Sequence, residues 1–492
     1  MSPDVIFIVI AAVVVLLAVI MMAQPIWLAL AIAGGLGLIL LDGTQITMNV
    51  VGAAGYTNTA RYALVIIPMF VLMGVLASKA GLAVDLFAIA QRLTRWLPGG
   101  LGVATILACG GFSAVTGSTS ATVATIGHIS VEQMTRRGYR ANAAAALVAL
   151  GATLGVLIPP SILMVIFAIL TGQSVGRLLL AGVVPGLVTM VFYMAAVVFF
   201  YKRGFFEPKT VKEKALFDSY STALESAIPE DKTMVRAAAP TGTFTTVGSG
   251  GRGEKNLTAS IAVLEERITV QNWVGTGFVA ILFLIIIGGM YTGIFTSTEA
   301  GAVAAAVAVL ILLIRLSRKG ARATFVALKD SFIDAASVSS MIFALLFGGA
   351  IFAFFLLKTG LPNAVAEAVV DANLPPLVVI IVSLVMLMIL GALLDEISIL
   401  LIVIPLLWPV MDGMGVDGIW YGVLAMKATA IGLIAPPVGI NVFVAAGISK
   451  HVSAERIYQA ILPFFIVELV VIAVLIAFPA ISTFVPDLML GT

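Results

Sequence analysis

GVLIPPS, residues 155–161, is the stretch that decides the fold of this chain. It places a glycine and two adjacent prolines inside a segment that is otherwise apolar enough to cross a membrane. Proline has no backbone N–H and disrupts the hydrogen bond to the residue four positions earlier, so the pair is predicted to unwind the helix. Unwound backbone at membrane depth is tolerated only where protein buries it or where it lines a wet cavity. The stretch therefore predicts a broken membrane helix, over 141–169, beside a functional site.

The composition around this stretch is that of a membrane protein. Of the 492 residues, 61% are hydrophobic and 11% are charged, whereas globular domains carry about 25% charged residues. Apolar runs such as 5–23 and 464–481 have the roughly 20 residues that a helix needs to cross about 30 Å of hydrocarbon. We therefore predict an all-α polytopic protein embedded in a lipid bilayer.

Several function classes are disfavoured by what the sequence lacks. One cysteine and two histidines are too few for a disulfide framework or for a metal site built from these residues. No GxxxxGK[ST] phosphate loop occurs, which argues against transport driven by ATP hydrolysed on this chain. We predict a transporter rather than an enzyme, driven by an ion gradient, with no cofactor and no nucleic-acid partner.

Basic residues define the predicted topology. They cluster at 92–95, 136–140, 202–203, 315–322 and 450–456. Under the positive-inside rule these clusters are cytoplasmic, so the segment 101–134 must enter the membrane and return on the same side. The alternation then makes 375–410 a second re-entrant hairpin, which enters from outside, and it leaves both termini periplasmic. The connections 42–61 and 358–374 are predicted to be external loops.

The diproline stretch has a counterpart, GLIAPPV at 432–438, which lies 277 residues further along the chain. The same offset places Asp395 opposite Ser118, which lies in the first hairpin. Because the topology gives the two halves opposite orientations, the sequence predicts an inverted repeat, in which ligands bind near the membrane midplane.

The predicted organisation has three parts. Residues 1–203 form the first half, with hairpin 101–134 and broken helix 141–169. Residues 273–492 form the inverted second half, with hairpin 375–410 and broken helix 420–446. Between them lies a polar cytoplasmic insertion, 204–272, in which short helices can form around 211–227 and 261–269. Its composition is typical of a flexible linker, and a regulatory or partner-docking segment is the alternative.

The two breaks and the two hairpin turns could together bind an ion and a polar solute. Freed carbonyls are oxygen ligands for a small cation, and the N-termini of half-helices attract anions. The run GGFSAVTGSTSATVATIG, 110–127, adds hydroxyls, which alternatively serve only close helix packing. Asp395 is a predicted cation ligand because an acid is costly inside the membrane, and Glu396 ranks below it. Lys427 either pairs with an acid or extends toward the interface.

Short motifs occur along the chain in a fixed order. They are Ile67–Phe70, Gly117–Ser118, Met134–Tyr139, Leu157–Ser161, Ala181–Gly186, Tyr291–Phe295, Thr298–Ala300, Gly391–Asp395 and Pro436–Gly439. Each is weak alone, but the ordered set resembles the large membrane subunit of tripartite ATP-independent periplasmic (TRAP) transporters. The resemblance covers most of the chain outside 204–272. It implies an ion-transporter-type fold in which a hairpin-containing transport domain moves against a scaffold as an elevator.

The resemblance also implies a function and its partners. The expected protein is a sodium-coupled importer of organic acids (carboxylates) in the bacterial inner membrane. It works with a small four-helix membrane subunit and with a periplasmic solute-binding protein. Because this chain begins directly with the spans of the large subunit, the small subunit is expected to be a separate chain.

Site residues follow from the same motif matches. The coupling ion Na⁺ is expected at Ser113, Gly117, Gly155, Asp395, Thr429, Gly432 and Pro436. The organic acid is expected at Thr116, Ser118, Pro160, Ser161 and Asn441. Ala435 stands where the family often has a threonine, which removes a hydroxyl from that position.

Other functions stay open at this point. A stand-alone sodium/divalent-anion symporter of the dicarboxylate or citrate type would share the hairpins but would need no binding protein. An intramembrane enzyme or a structural scaffold is a further alternative. His128 and Asp395 are poor protease candidates, because each lacks a matching partner in its own half.

Overall fold

The computed structural model describes residues 2–207, 269–317, 320–449 and 452–490. Over these residues the regular secondary structure is helical, without a β-strand. Nine of the described helical segments are long and apolar enough to cross a membrane, and a bent pair makes a tenth span. The predicted all-α polytopic fold is therefore confirmed. The short helices predicted within the insertion, at 211–227 and 261–269, fall outside the described residues but for Thr269.

The helices of the first half are α1 Pro3–Met21, α2 Ile26–Thr59, α3 Ile66–Lys79, α4 Leu82–Thr94, α5 Gly100–Thr116, α6 Thr119–Arg136, α7 Ala141–Ala152, α8 Leu154–Leu157, α9 Ile162–Thr171, α10 Val175–Ala181 and α11 Val183–Lys202. A 3-10 turn, Tyr62–Val65, precedes α3. The helices of the second half are α12 Val270–Tyr291, α13 Ser297–Leu316, α14 Ala321–Lys358, α15 Leu361–Asp371, α16 Pro376–Gly391, α17 Glu396–Gly413, α18 Gly418–Gly432, α19 Ile440–Ile448, α20 Ala454–Ala477 and α21 Ala480–Leu490.

Two connections that were predicted to be loops are largely helical, so those predictions were wrong. The predicted loop 42–61 is mostly the second part of α2, which bends at Gly43, where φ is 82°. The predicted loop 358–374 contains α15. Both segments mix polar and apolar residues, and helices of this composition escape a search for continuous apolar runs.

Both predicted hairpins are present. In the first, α5 and α6 enclose the turn Gly117–Ser118, and in the second, α16 and α17 enclose the turn 392–395. Ser118 caps α6 and Asp395 caps α17, each by accepting backbone N–H groups through its side chain. Ser and Asp are favoured at N-caps because they satisfy donors that the first helical turn leaves free. The two caps are separated by the predicted repeat offset of 277 residues.

Both predicted broken helices are present as well. The first consists of α7 and α8, an unwound segment 158–161, and α9. The second consists of α18, an unwound segment 433–439, and α19. Each diproline contains a cis peptide bond between its two prolines. Almost all residues of α7 and of α18 are buried, so the broken helices form the centre of the molecule.

A second group of helices, α1–α3 and α12–α14, packs beside this centre. Its role as the scaffold of an elevator stays a prediction. Glycines allow α2 and α14 to touch: a Cβ on Gly34 would lie 2.7 Å from the Phe352 Cα, and one on Gly348 would lie 2.0 Å from the Trp27 carbonyl oxygen. Small residues serve membrane helices in this way because lipid supplies no hydrophobic force between them. A 2.7 Å ion pair between Lys79 and Asp334 also joins α3 to α14.

Candidate functional site

The first hairpin turn lies directly on the first helix break. Gly117 ends α5 with a left-handed φ of 60°, and its N–H donates to the Ser113 carbonyl oxygen at 2.9 Å. A Cβ on Gly117 would lie 2.3 Å from the Pro160 carbonyl oxygen, so only glycine allows both this conformation and this contact. A Cβ on Gly155 would lie 3.0 Å from Ser113 Oγ. Four of the predicted site residues are thus brought together.

Buried hydroxyls join the two arms of the first hairpin. Thr122 Oγ1 lies 3.1 Å from Ser113 Oγ and 3.2 Å from Thr116 Oγ1, and it donates to the Ser118 carbonyl oxygen at 2.9 Å. A hydroxyl oxygen has two lone pairs, so these groups can stabilise the turn and still offer oxygen to a cation. Thr122 was not among the predicted site residues. Its position in the hydroxyl-rich run, one helical turn after Ser118, could have indicated it.

The first break is enclosed by protein. Ile158 leaves the helix with φ −74° and ψ 120°, and Ser161 restarts it by accepting the Met164 N–H at 3.4 Å. All four residues of the unwound segment 158–161 are buried. Ser161 therefore has a helix-capping role in addition to the substrate role that the motif match predicts.

The second hairpin turn lies on the second break in the same manner. The Ala392 carbonyl oxygen accepts the N–H groups of Val438 and Gly439 at 3.0 and 3.1 Å. A Cβ on Gly391 would lie 3.0 Å from the Gly432 Cα and 3.3 Å from the Thr429 carbonyl oxygen. The predicted ligands Thr429 and Gly432 therefore face the second turn, as Gly155 faces the first. The described residues contain no group of three His, Cys, Asp or Glu side chains that could hold a metal ion. In both regions a cation would therefore be bound mainly by carbonyl and hydroxyl oxygens.

The adjacent acids Asp395 and Glu396 have different surroundings. Asp395 accepts the N–H groups of Ile397 and Ser398 at 3.1 Å and also the Ser398 hydroxyl, so it caps the helix. Its role as a cation ligand stays a prediction.

Glu396 instead contacts the other repeat. Thr119 Oγ1 donates to the Glu396 carboxylate at 3.0 Å, across 277 residues of sequence. The two hairpin turns therefore meet at equivalent positions of the repeat. Sequence reasoning ranked Glu396 below Asp395, although the offset that paired Ser118 with Asp395 also pairs Thr119 with Glu396.

Asn441 is the polar group with unused hydrogen-bonding capacity at the second break. Its side chain is fully buried, and neither its amide oxygen nor its amide nitrogen has a partner among the described residues. Buried polar atoms are nearly always hydrogen-bonded, so this amide fits the predicted role of contacting a bound solute. Asn441 lies in the first turn of α19, which packs against α6 and α7.

Lys427 pairs with an acid, which was one of the two predicted alternatives. It forms an ion pair with Glu468 of α20, and both side chains are at least 99% buried. Its Nζ also donates to Tyr193 Oη at 3.1 Å. Glu468 and Tyr193 were not predicted, although a single acid in the apolar segment 460–481 is a signal of function in a membrane helix.

Comparison with known proteins identifies the family. Residues 13–481 match the family described as "Tripartite ATP-independent periplasmic transporter, DctM component". The chain belongs to this family. It is therefore a multi-pass membrane permease of a TRAP transporter and not an enzyme, and the resemblance drawn from the motifs is confirmed.

Individual relatives agree with this membership. The chain is 30% identical to the C4-dicarboxylate TRAP transporter large permease protein DctM of Vibrio cholerae, over 88% of this chain and 87% of that one. It is 29% identical to the isethionate TRAP transporter permease protein DctMQ of Oleidesulfovibrio alaskensis, over 92% of this chain and 63% of that longer one. The YdaH transporter of Alcanivorax borkumensis has a similar fold, with a TM-score of 0.54 at 14% identity over 89% of each chain.

Proposed function

We propose that this TRAP permease is the large subunit of a sodium-coupled importer of organic acids in the bacterial inner membrane. The observation that carries the proposal is the repeated arrangement of a hairpin turn on a diproline break, with the two turns joined by the Thr119–Glu396 hydrogen bond. Such breaks expose backbone oxygens and helix ends at membrane depth, which are the groups that bind ions and solutes in secondary transporters.

Two sodium positions follow from the two arrangements. The first is formed by Ser113, Gly117 and Gly155, where a glycine-rich turn, a buried hydroxyl and the broken helix meet. The second is formed by Asp395, Thr429, Gly432 and Pro436, beside the second turn. Hydroxyl, carbonyl and carboxylate oxygens can replace the hydration shell of a small cation at such sites.

The organic acid is proposed to bind between these positions. Thr116, Ser118, Pro160, Ser161 and Asn441 are the proposed contacts. The first turns of α9 and α19 begin at the two breaks, and helix N-termini attract anionic groups. The buried Asn441 amide, which lacks a partner among the described residues, would supply directional hydrogen bonds. The relatives' names include a C4-dicarboxylate and a sulfonate, isethionate, which supports the acid class without naming the compound.

Partners and motion complete the proposal. The solute would be delivered by a periplasmic binding protein, and a separate small four-helix subunit would contact the large one. The apolar α1, of which only 11% is buried, offers surface for that subunit or for lipid. The hairpins and broken helices would move as an elevator against the scaffold helices, with both chain termini in the periplasm.

Reconstitution tests the proposal. The candidate binding protein is first screened by thermal shift against carboxylates and sulfonates, and the acid that stabilises it is radiolabelled. We expect uptake into proteoliposomes only when the large subunit, the small subunit, the binding protein and an inward sodium gradient are all present. Equal uptake without the binding protein would support the stand-alone symporter, and equal uptake with potassium replacing sodium would remove sodium coupling.

A further inference from the structure

A buried network of four side chains connects the two broken helices. Tyr193 donates its phenol proton to Glu468 and accepts from Lys427 Nζ at 3.1 Å. Its oxygen lies 2.9 Å from Thr153 Oγ1, and that hydroxyl also donates to the Leu150 carbonyl oxygen at 2.6 Å. Lys427 closes the network through its ion pair with Glu468. All four side chains are at least 99% buried, and they come from both halves of the chain.

The network lies close in sequence to both proposed sodium positions. Thr153 lies at the junction of α7 and α8, two residues before Gly155 of the first proposed sodium position. Lys427 lies on α18, two residues before Thr429 and five before Gly432 of the second. The network therefore joins the helical segments that carry the two positions.

An ion pair at this depth restricts how these segments move. A buried charge must keep its partner, because separating the pair leaves an uncompensated charge in a medium of low dielectric constant. Displacement of α8 or α18 alone would break the hydrogen bonds at Tyr193 or Lys427. Movements at one break should therefore be transmitted to the other.

We propose that Thr153, Tyr193, Lys427 and Glu468 are positioning residues that make sodium binding at the two breaks cooperative. The inference rests on the proposed function, since it requires two sodium positions. Sodium at the first break fixes Gly155 and Thr153, and the network then holds α18 in the geometry that the second sodium requires. Tyr193 is the residue through which the coupling passes.

The test measures equilibrium binding of radioactive sodium to the purified full-length chain. Tyr193→Phe removes the link and keeps the ring and the ion pair, and Thr153→Val removes the same link from the other side. Thr153→Ser keeps the hydroxyl and is the conservative rescue variant. Tyr421→Phe is the matched control, because Tyr421 is also a fully buried tyrosine, and its hydroxyl contacts Ser383 instead.

We expect cooperative binding to the wild type, to Thr153→Ser and to Tyr421→Phe. In Tyr193→Phe and Thr153→Val we expect the same number of sodium ions with a Hill coefficient near one, and an affinity at the second position lowered roughly tenfold, within the usual range of coupling between sites. Thermal unfolding confirms that each variant is folded.

Four outcomes would overturn the inference. Cooperativity retained in Tyr193→Phe, or lost equally in Tyr421→Phe, would remove the network from the coupling while leaving sodium transport intact. Non-cooperative binding to the wild type would do the same. Absence of saturable sodium binding to the wild type would remove the proposed function itself, and the inference with it.

Discussion

The two helix breaks share a diproline motif and a hairpin turn, yet one is enclosed and the other is open. Residues 158–161 are all buried, whereas Pro436, Pro437 and Val438 are exposed, and Val438 has 37% of its surface accessible. The motif therefore sets where the helix unwinds, and the neighbouring elements decide whether the unwound backbone can be reached.

The neighbours of the two breaks differ in how closely they approach. At the first break, a Cβ on Gly182 would lie 2.2 Å from the Leu157 carbonyl oxygen, and one on Gly186 would lie 2.7 Å from Ile158 Cγ1. These glycines bring α10 and α11 into direct contact with the break. At the second, the Tyr458 hydroxyl of α20 donates to the Val438 carbonyl oxygen at 2.5 Å. A single long side chain leaves more of the backbone accessible than a glycine-lined helix does.

The largest effect is expected where the first turn meets its break. Gly117→Ala should abolish uptake and lower stability, because the new Cβ would lie 2.3 Å from the Pro160 carbonyl oxygen. Gly138→Ala is the matched control: Gly138 also has a positive φ, 87°, but its Cβ would meet open space. The control should lose only the roughly 1–2 kcal/mol that a left-handed alanine costs. Thermal unfolding and uptake are measured, and equal losses in both variants would show that the contact is unimportant.

A second prediction sharpens the contrast in exposure. Val438→Cys should react with a water-soluble maleimide faster than Ser161→Cys by at least roughly tenfold, since a buried thiol reacts only after local opening. The native Cys109 is buried and supplies the background rate. If alternating access exchanges the two environments, sodium and solute should change the two rates in opposite directions. Similar rates for both cysteines would contradict the difference in exposure.

The third prediction concerns the one acidic cap among the two hairpin turns. Asp395→Asn should keep α17 capped, because Asn is as good an N-cap as Asp, while it removes the charge from the second sodium position. We expect membrane insertion to be intact and the sodium concentration for half-maximal uptake to rise roughly tenfold, equivalent to about 1.4 kcal/mol. Asp417→Asn is the matched control, because Asp417 also caps a helix, α18, by accepting the Trp420 N–H at 2.7 Å, and it belongs to neither proposed sodium position. Undiminished sodium dependence in Asp395→Asn would remove Asp395 from the ligands.

The smallest effect is expected at Tyr458. Tyr458→Phe removes one hydrogen bond to the Val438 carbonyl oxygen and should cost about 0.5–1.5 kcal/mol of stability. It should also accelerate maleimide labelling of Val438→Cys. Unchanged labelling would mean that the tyrosine does not restrain the second break.

Local signals explain why so much of the fold could be predicted. The hairpins predicted at 101–134 and 375–410 correspond to α5–α6 and α16–α17, within about three residues at each end. Apolar runs, clusters of basic residues and diprolines can each be recognised within a short stretch of sequence. The first two report how a single helix inserts into lipid, and the diproline reports the loss of a backbone N–H donor. The helical parts of 42–61 and 358–374 were missed because their polar residues interrupt the apolar runs by which the membrane helices were recognised.

The sequence by itself determined the membrane class, the repeat and the places where the backbone unwinds, since each depends on residues next to one another. Only the tertiary structure decided that Glu396 contacts Thr119, that Lys427 pairs with Glu468 beside Tyr193, and that one break is enclosed while its counterpart is open. These contacts join residues up to 277 positions apart, and their energies arise from burial and from hydrogen bonds that do not exist until the halves are packed together.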